Sequence, residues 1–225
     1  MSVLYFPYLP ALNRDQQQLR QDFTADTHLI ASTLADLNGS NPVDRGEPPP
    51  IGKPPCTATR PTLADLTLRL GVSHAEAEDM LRGWDEANEQ WEHVIRPLYE
   101  RLPHCLCHND VSPGNTIHSE SVTTYTDFGL ASIGPVGSDL HTVLRWLGRT
   151  AENRDSTQGV IDAYTASIRR HNGAVSVDDV LLAAWGSYFL RYTNLKYRSA
   201  RYIYVMKLAL SNIARLAKIH SAATS

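Results

Sequence analysis

The sequence predicts a mainly helical protein of the α+β class, in which a small β-hairpin interrupts a succession of helices. Apolar residues recur at helical spacing along most of the chain. Runs rich in β-branched and aromatic residues, which indicate strands, are confined to the N-terminus and to residues 104–140. With 225 residues the chain could form one sizeable domain or two small ones, and either could bury a core.

The N-terminal half alternates predicted helices with a Pro-rich loop. Residues 1–12 include the short extended segment VLYFPYLP, and the helical pattern that follows places Ile30 and Leu34 on one face and ends at Gly39. Residues 41–61 are rich in Pro and Gly and are predicted to form a loop. The stretches TLADLTLRLG and SHAEAEDMLRGWDEANEQWEHVIRPLYERL then continue the helical pattern up to the predicted strands.

Residues 141–225 are predicted to be helical. Within them the segment YFLRYTNLKYRSARYIYVMKLAL mixes Tyr with Arg and Lys, a composition found in nucleic-acid-binding surfaces as well as in packed helices. Tyr188, Tyr192 and Leu195 lie at helical spacing. This spacing favours helices that pack through these residues while the Lys and Arg side chains extend along the surface.

Charge and hydropathy exclude several classes of protein. The net charge of −3 provides no general attraction to nucleic acid or to anionic membranes. No apolar run is long enough to span a bilayer, and the N-terminus lacks the basic-then-apolar pattern of a signal peptide. The three cysteines offer no disulfide framework. We therefore expect a cytoplasmic protein that binds neither nucleic acid nor membranes.

The stretch HCLCH, residues 104–108, has the ligand types of half a zinc site. Structural zinc sites combine two spaced ligand pairs, and a second pair is missing here. Cys105 and Cys107 are therefore predicted to be small apolar residues on a buried strand.

The stretch TLADLTLRLGVSHAEAEDML has the layout of a helix-turn-helix, which raises a DNA-binding alternative. Its second helix would carry Glu76, Glu78 and Asp79, which would repel a phosphate backbone. Two helices joined by a glycine turn are the plainer interpretation, and a helix-turn-helix regulator remains the weakest alternative.

Residues 108–129, HNDVSPGNTIHSESVTTYTDFG, concentrate acids and amides at predicted strand ends. Asp110 and Asn115 are separated by the turn-forming tetrapeptide VSPG, so one loop presents both side chains to the same space. The segment TIHSESVTTYT suits a hairpin that returns Asp127 beside Asn115. Carboxylate and amide oxygens are hard ligands that suit Mg²⁺, which completes its shell with water and phosphate.

These side chains are the parts that phosphoryl transfer requires. Mg²⁺ held by Asn115 and Asp127 would neutralise charge on the transferred group, and Asp110 would accept the proton of the attacking hydroxyl. His108 is predicted to brace the loop by hydrogen bonding rather than to act in the chemistry. A helical protein with two polar turns is the structural alternative to this interpretation.

The order of these residues resembles the aminoglycoside phosphotransferase and choline kinase family, the small-molecule branch of the protein-kinase-like superfamily. That family carries an H-G-D-x-x-x-x-N loop, then D-F or D-W, then a Gly and a D-L pair. The matching positions are His108, Asp110, Asn115, Asp127, Phe128, Gly134, Asp139 and Leu140. The departure is Asn109, where Gly is usual. The resemblance implies that Asp139 opens a helix and supports the catalytic loop.

The resemblance covers only the helical C-terminal lobe of such a kinase. It implies a single domain over residues 1–225. In this domain residues 1–12 form the hinge, with Tyr5 and Phe6 as contacts to the nucleotide, and residues 104–140 carry the catalytic and metal-binding loops. The β-rich N-terminal lobe is expected to be absent. No Gly-rich loop precedes the motif, and the only Lys upstream of it is Lys53, in the Pro-rich loop.

We therefore expect a phosphotransferase that depends on Mg²⁺ and on ATP or GTP and acts on a hydroxyl of a small molecule. Without an upper lobe its activity is expected to be weak or absent. A second chain or self-association would cover the apolar face near residues 3–6. The alternative function is that of a non-catalytic kinase-like protein that uses the cleft or this face to bind a ligand or a partner.

Overall fold

The computed structural model of the chain covers most of the residues on which these predictions rest. It describes residues 23, 25–40, 42, 60–119, 122–147, 154–173, 175–192 and 200–224. Three predicted features lie outside the described residues. They are the hinge at residues 1–12 with Tyr5 and Phe6, the apolar face near residues 3–6, and Lys53. The expected extent of the domain, residues 1–225, stays a prediction.

Helices make up most of the described chain, which confirms the mainly helical α+β prediction. The helices are α1 (Thr27–Ser40), α2 (Leu63–Leu70), α3 (His74–Gln90), α4 (Arg96–Arg101), α5 (Leu140–Leu147), α6 (Arg154–Asn172), α7 (Val177–Tyr192) and α8 (Ala200–Thr224). The strands are β1 (His104–Cys107), β2 (Thr116–Ser119), β3 (Val122–Tyr125) and β4 (Ser132–Pro135). None of the described helices has the length and apolar character needed to cross a membrane.

The described strands form two antiparallel pairs, one nested inside the other along the chain. β1 pairs with β4, with Cys107 opposite Ser132, and β2 pairs with β3, with Thr116 opposite Tyr125. Because β2 and β3 lie between β1 and β4 in sequence, the loop that leaves β1 meets the loop that leaves β3. The hairpin predicted from TIHSESVTTYT is present, and it brings together the two loops that carry the polar residues.

Local capping explains the sharp turn between α2 and α3. Thr62 begins α2 with a reciprocal capping pair to Asp65, and Gly71 ends it in the left-handed conformation at φ 66°.

The α3 helix packs against α8, and Glu76 forms an ion pair with Lys207. The two helices joined by a glycine turn are therefore observed, and the DNA-binding alternative stays a prediction.

A single wide turn interrupts the helical pattern after α3. Residues Trp91–Ile95 form one π-helical turn, and α4 follows with Pro97 in its first turn. Proline has no N–H and its ring clashes with the carbonyl four residues earlier, so the wide turn takes up a distortion that a regular α-helix does not allow.

Buried side chains of the helices and strands form one core. Ile30, Leu34 and Tyr188 are buried, as their helical spacing predicted. Cys105 and Cys107 are also buried, which confirms their interpretation as apolar residues on a strand.

The helices α1 and α6 pack against each other at two close approaches through glycine. A Cβ atom added to Gly39 would lie 2.6 Å from Cβ of His171, and one added to Gly159 would lie 2.2 Å from Cε1 of His28. The two obstacles differ in kind. Cβ of His171 is fixed by the backbone, whereas the imidazole of His28 belongs to an exposed side chain that can rotate away.

Gly39→Ala is expected to lower the free energy of unfolding by about 1–3 kcal/mol, the usual cost of adding a group to a well-packed interface. Gly159→Ala is the matched control, because the His28 ring can move and Ala favours a helix over Gly by about 1 kcal/mol. Chemical denaturation of both variants measures the difference. Equal losses, or a larger loss in Gly159→Ala, would contradict the packing described.

Candidate active site

The loop that follows β1 is held by one buried carboxylate. Asp139, immediately before α5, is completely buried. Its Oδ2 accepts a hydrogen bond from the main-chain N–H of His108, and its Oδ1 accepts one from the N–H of Asn109, both at 2.6 Å. Any other path for the loop would leave these buried N–H groups unpaired, so the contact fixes two consecutive peptide groups.

Two residues from the helices extend this contact into the core. Asn38 of α1 donates through Nδ2 to Asp139 Oδ2 at 3.2 Å and to the carbonyl oxygen of Leu106 at 2.8 Å. The hydroxyl of Tyr164 in α6 donates to Asn38 Oδ1 at 2.7 Å and accepts from the N–H of Gly137 at 3.0 Å. This buried network therefore joins α1 and α6 to the loop after β1.

Burial and hydrogen bonding shift the pKa values of two side chains in this network, Asp139 and Tyr164. Desolvation raises the pKa of the Asp139 carboxyl above its ordinary value, while the N–H groups of Asn109 and His108 act in the opposite direction. Desolvation also raises the pKa of Tyr164, so its hydroxyl keeps its proton. The protonated hydroxyl of Tyr164 can then donate to Asn38. The described partners of the Asp139 carboxyl oxygens are all hydrogen-bond donors.

His108 connects the loop after β1 with the loop after β3. Its Nε2 lies 2.8 Å from the carbonyl oxygen of Thr126, which only accepts, and its Nδ1 lies 3.2 Å from the main-chain nitrogen of Asp110, which only donates. The neutral tautomer with its proton on Nε2 satisfies both contacts. The buried ring also packs 4.6 Å from the ring of Phe128, measured between centroids. Both ring nitrogens are engaged in bracing the two loops.

Asp110 and Asn115 face each other across the VSPG turn. Asn115 Nδ2 donates to Oδ2 of Asp110 and to its carbonyl oxygen, both at 3.0 Å. The N–H of Asn115 donates to the carbonyl of Ser112 at 3.0 Å, which closes the turn. Among the described residues no donor faces Asp110 Oδ1 or Asn115 Oδ1. The structure thus brings two of the predicted site residues into contact and leaves each with an open oxygen.

Asp127 lies at the end of the hairpin that starts beside Asn115. The N–H of Thr126 donates to the carbonyl of Asn115 at 2.9 Å, which places the next residue at the same edge. Asp127 is exposed and has a left-handed backbone at φ 59°, a conformation that Asp tolerates better than most residues. Its Oδ1 accepts from the N–H of Gly129 at 3.2 Å, and Oδ2 has no donor among the described residues.

The open oxygens of Asn115 and Asp127 suit a hard cation. In the described part of the chain no three His, Cys, Asp or Glu side chains gather as ligands for a metal ion. One carboxylate and one amide oxygen, with water and phosphate in the remaining positions, are a donor set that Mg²⁺ accepts. The residues present therefore fit Mg²⁺ that arrives with a nucleotide.

Two residues of the buried network are not identified by the sequence. Asn38 has a weak signal, since it is a poor helix former within an apolar helical pattern, next to Gly39. Tyr164 has none, because an aromatic residue in an amphipathic helix is ordinarily a core residue. Both are found only when the helices are placed against the loop.

Asp139→Asn tests the buried contact directly. The new amide would direct its NH₂ group at the N–H of His108 or Asn109, and a buried donor left unpaired costs about 1–3 kcal/mol of folding free energy. Tyr164→Phe leaves Asn38 Oδ1 and the N–H of Gly137 without this hydroxyl and should also cost about 1–3 kcal/mol. Chemical denaturation gives both values, and amide exchange at His108 and Asn109 reports the loop itself. An Asp139→Asn variant with wild-type stability and protected amides would refute the contact.

Comparison with known proteins identifies a matching family. A sequence model of the phosphotransferase enzyme family matches residues 2–174, well over half of the chain. The matched range contains Asp110, Asn115, Asp127 and Asp139 and ends before α7. A search of curated protein sequences found no match. The chain belongs to the phosphotransferase enzyme family.

Proposed function

We propose that the chain transfers a phosphoryl group from ATP or GTP to a hydroxyl of a small molecule, with Mg²⁺ as cofactor. Membership of the family supports phosphotransfer in general. The observation that carries the finer proposal is the 3.0 Å hydrogen bond between Asn115 Nδ2 and Asp110 Oδ2. The hydrogen bond from the N–H of Thr126 to the carbonyl of Asn115 supports including the next residue, Asp127, in the same site, where a nucleotide phosphate and a hydroxyl would meet.

Asp110 is the proposed general base. Its Oδ2 is held by Asn115, so the carboxylate cannot rotate freely, and its Oδ1 is open to a hydrogen bond from the acceptor hydroxyl. During transfer the hydroxyl oxygen forms a bond to the γ-phosphorus as the bond to the leaving nucleoside diphosphate breaks. The hydroxyl proton passes to Asp110 and is later released to water.

Asn115 Oδ1 and Asp127 Oδ2 are the proposed Mg²⁺ ligands. When bound, the ion neutralises negative charge on the phosphate oxygens. Asn115 would then act through two atoms, since Nδ2 orients the base and Oδ1 faces the metal. The hydrogen bond from the N–H of Gly129 to Asp127 Oδ1 orients the second ligand.

His108 and Asp139 are proposed to act by restraint. His108 fixes Thr126 and Asp110 through its two ring nitrogens, and Asp139 fixes the peptide groups just before Asp110. The general base Asp110 and the loop that carries Asp127 would then keep their relative positions when substrates bind. This lowers the reorganisation needed for transfer.

The nucleotide base and the acceptor are proposed from the sequence alone. Tyr5 and Phe6 would contact the adenine at the hinge, and a second chain or self-association would cover the apolar face near residues 3–6. Aminoglycosides, choline, sugars and amino alcohols are the acceptor classes that the resemblance implies, and the cytoplasm is the proposed location.

A second candidate is a kinase-like protein that binds nucleotide without turning it over. No Lys or Arg of the described chain forms an ion pair with Asp110 or Asp127. Phosphoryl transfer normally uses a cationic side chain on the phosphates in addition to metal. In the sequence, the only Lys before the motif is Lys53 in the Pro-rich loop, which supports binding over rapid turnover.

Asp127→Asn and Asp110→Asn separate binding from transfer. Both preserve side-chain shape, and Asn tolerates the left-handed backbone of Asp127. Asp127→Asn removes the one carboxylate proposed to hold metal and should weaken Mg·ATP binding about tenfold or more, which is about 1.4 kcal/mol. Asp110→Asn should retain binding and lower the transfer rate by about 10²–10⁴-fold, the usual contribution of a general base. Calorimetric titration measures binding, and a labelled-phosphate assay with acceptors of each class measures transfer.

Asp162→Asn is the matched control, because the exposed Asp162 carboxylate on α6 has its described contact with Gln158 and lies outside the proposed machinery. It should change neither binding nor transfer. Binding by the wild type without transfer to any acceptor would favour the non-catalytic candidate. No binding of Mg·ATP by the wild type would contradict both candidates for the isolated chain.

A further inference from the structure

Asn109 occupies a special backbone position between His108 and Asp110. It has a left-handed conformation at φ 67° and is only 2% exposed. Glycine adopts this conformation most easily, and Asn is among the few other residues that do so at low cost. The backbone alone therefore explains why Gly is usual here in the family that the motif resembles, but it does not explain why this chain has Asn.

The Asn109 side chain makes contacts that Gly cannot make. Its Nδ2 has two hydrogens and three acceptors in reach, so one hydrogen is shared. The acceptors are the carbonyl oxygen of Leu130 at 2.9 Å, Ser132 Oγ at 2.8 Å and the carbonyl oxygen of Cys107 at 3.2 Å. The contact to Cys107 is local, but those to Leu130 and Ser132 cross to the segment that follows Asp127. We call these two cross-loop contacts the Asn109 bridge.

The segment that the Asn109 bridge holds is packed at its start, where Phe128 contacts His108, but has little packing at its end. The 3₁₀ turn Phe128–Leu130 directly follows Asp127, and the side chain of Leu130 is 61% exposed. The turn closes with a hydrogen bond from the N–H of Ala131 to the carbonyl of Phe128 at 2.9 Å. Its C-terminal end is therefore positioned by hydrogen bonds to the backbone more than by burial.

We propose that Asn109 is a positioning residue that sets the location of Asp127 relative to Asp110. Asp139 fixes the main chain at Asn109, and the Asn109 bridge passes this restraint to the turn after Asp127. The mechanical part of the proposal stands on these contacts. Its consequence for metal binding rests on the proposed function, in which Asp127 is a ligand.

Asn109→Gly isolates the bridge, because Gly removes the amide and keeps the left-handed backbone, whereas Ala would add strain at φ 67°. Amide hydrogen exchange at Gly129 and Ala131 should accelerate about tenfold, which corresponds to about 1.4 kcal/mol. Exchange at Thr126, whose N–H is bonded to Asn115 on the other side of the site, should stay within about twofold of the wild type.

Ser132→Ala is the companion variant, since Ser132 is exposed and its replacement removes only one acceptor of the bridge. It should accelerate the same two amides, but less than Asn109→Gly does. Unchanged exchange at Gly129 and Ala131 in Asn109→Gly would overturn the bridge. Acceleration at Thr126 as large as that at Gly129 would also overturn it, because it would show general loosening.

Mn²⁺ binding in the presence of ATP, followed by electron paramagnetic resonance, tests the consequence at the metal. Asn109→Gly should weaken Mn²⁺ binding about tenfold, the same factor as the exchange effect, with little change in unfolding midpoint. Equal Mn²⁺ affinity in the two proteins would overturn the positioning role. No Mn²⁺ binding by the wild type would contradict the proposed function instead, and the exchange result would still decide whether the bridge exists.

Discussion

Asp139 places a buried carboxylate against two consecutive main-chain N–H groups, and the geometry of the site depends on this contact. A buried carboxylate is costly unless donors surround it, and the N–H groups of His108 and Asn109 together with the amide of Asn38 supply them. The same bonds satisfy peptide groups that would otherwise be orphaned in the core. The carboxyl group and the loop therefore stabilise each other, and removing either leaves the other unpaired.

The nested strands carry this restraint to the polar residues. The loop after β1 and the loop after β3 meet, and each bends at a non-glycine residue in the left-handed conformation, Asn109 and Asp127. Such residues carry backbone strain unless their side chains form local hydrogen bonds. Asn109 donates to the carbonyl of Cys107, and Asp127 accepts from the N–H of Gly129. His108 lies between the two loops and bonds to each. The two left-handed non-glycine residues of the described chain thus lie where the motif places its acids and amides.

The sequence predicts the elements of this arrangement better than the connections among them. Helical spacing and the turn residues reveal the helices and the hairpin, and the distance between Asp110 and Asn115 along the chain is short enough for one turn to determine their contact. Asn38 and Asp139 are 101 residues apart, and Tyr164 is 126 residues from Asn38, so no local pattern relates them. The π-helical turn before α4 is hidden for another reason, because Trp91 and Ile95 at its two ends are both buried and the apolar pattern continues through it.

The central claim is that the open oxygens beside Asp110 form a nucleotide-dependent metal site. The most direct measurement is the broadening of amide NMR signals by Mn²⁺ with and without ATP. We expect the amides of Asn115, Asp127 and Gly129 to broaden first and only when ATP is present. The amides of Asp178 and Asp179, in the acidic first turn of α7, should not broaden. Broadening that is strongest at α7, or that does not depend on ATP, would contradict the central claim.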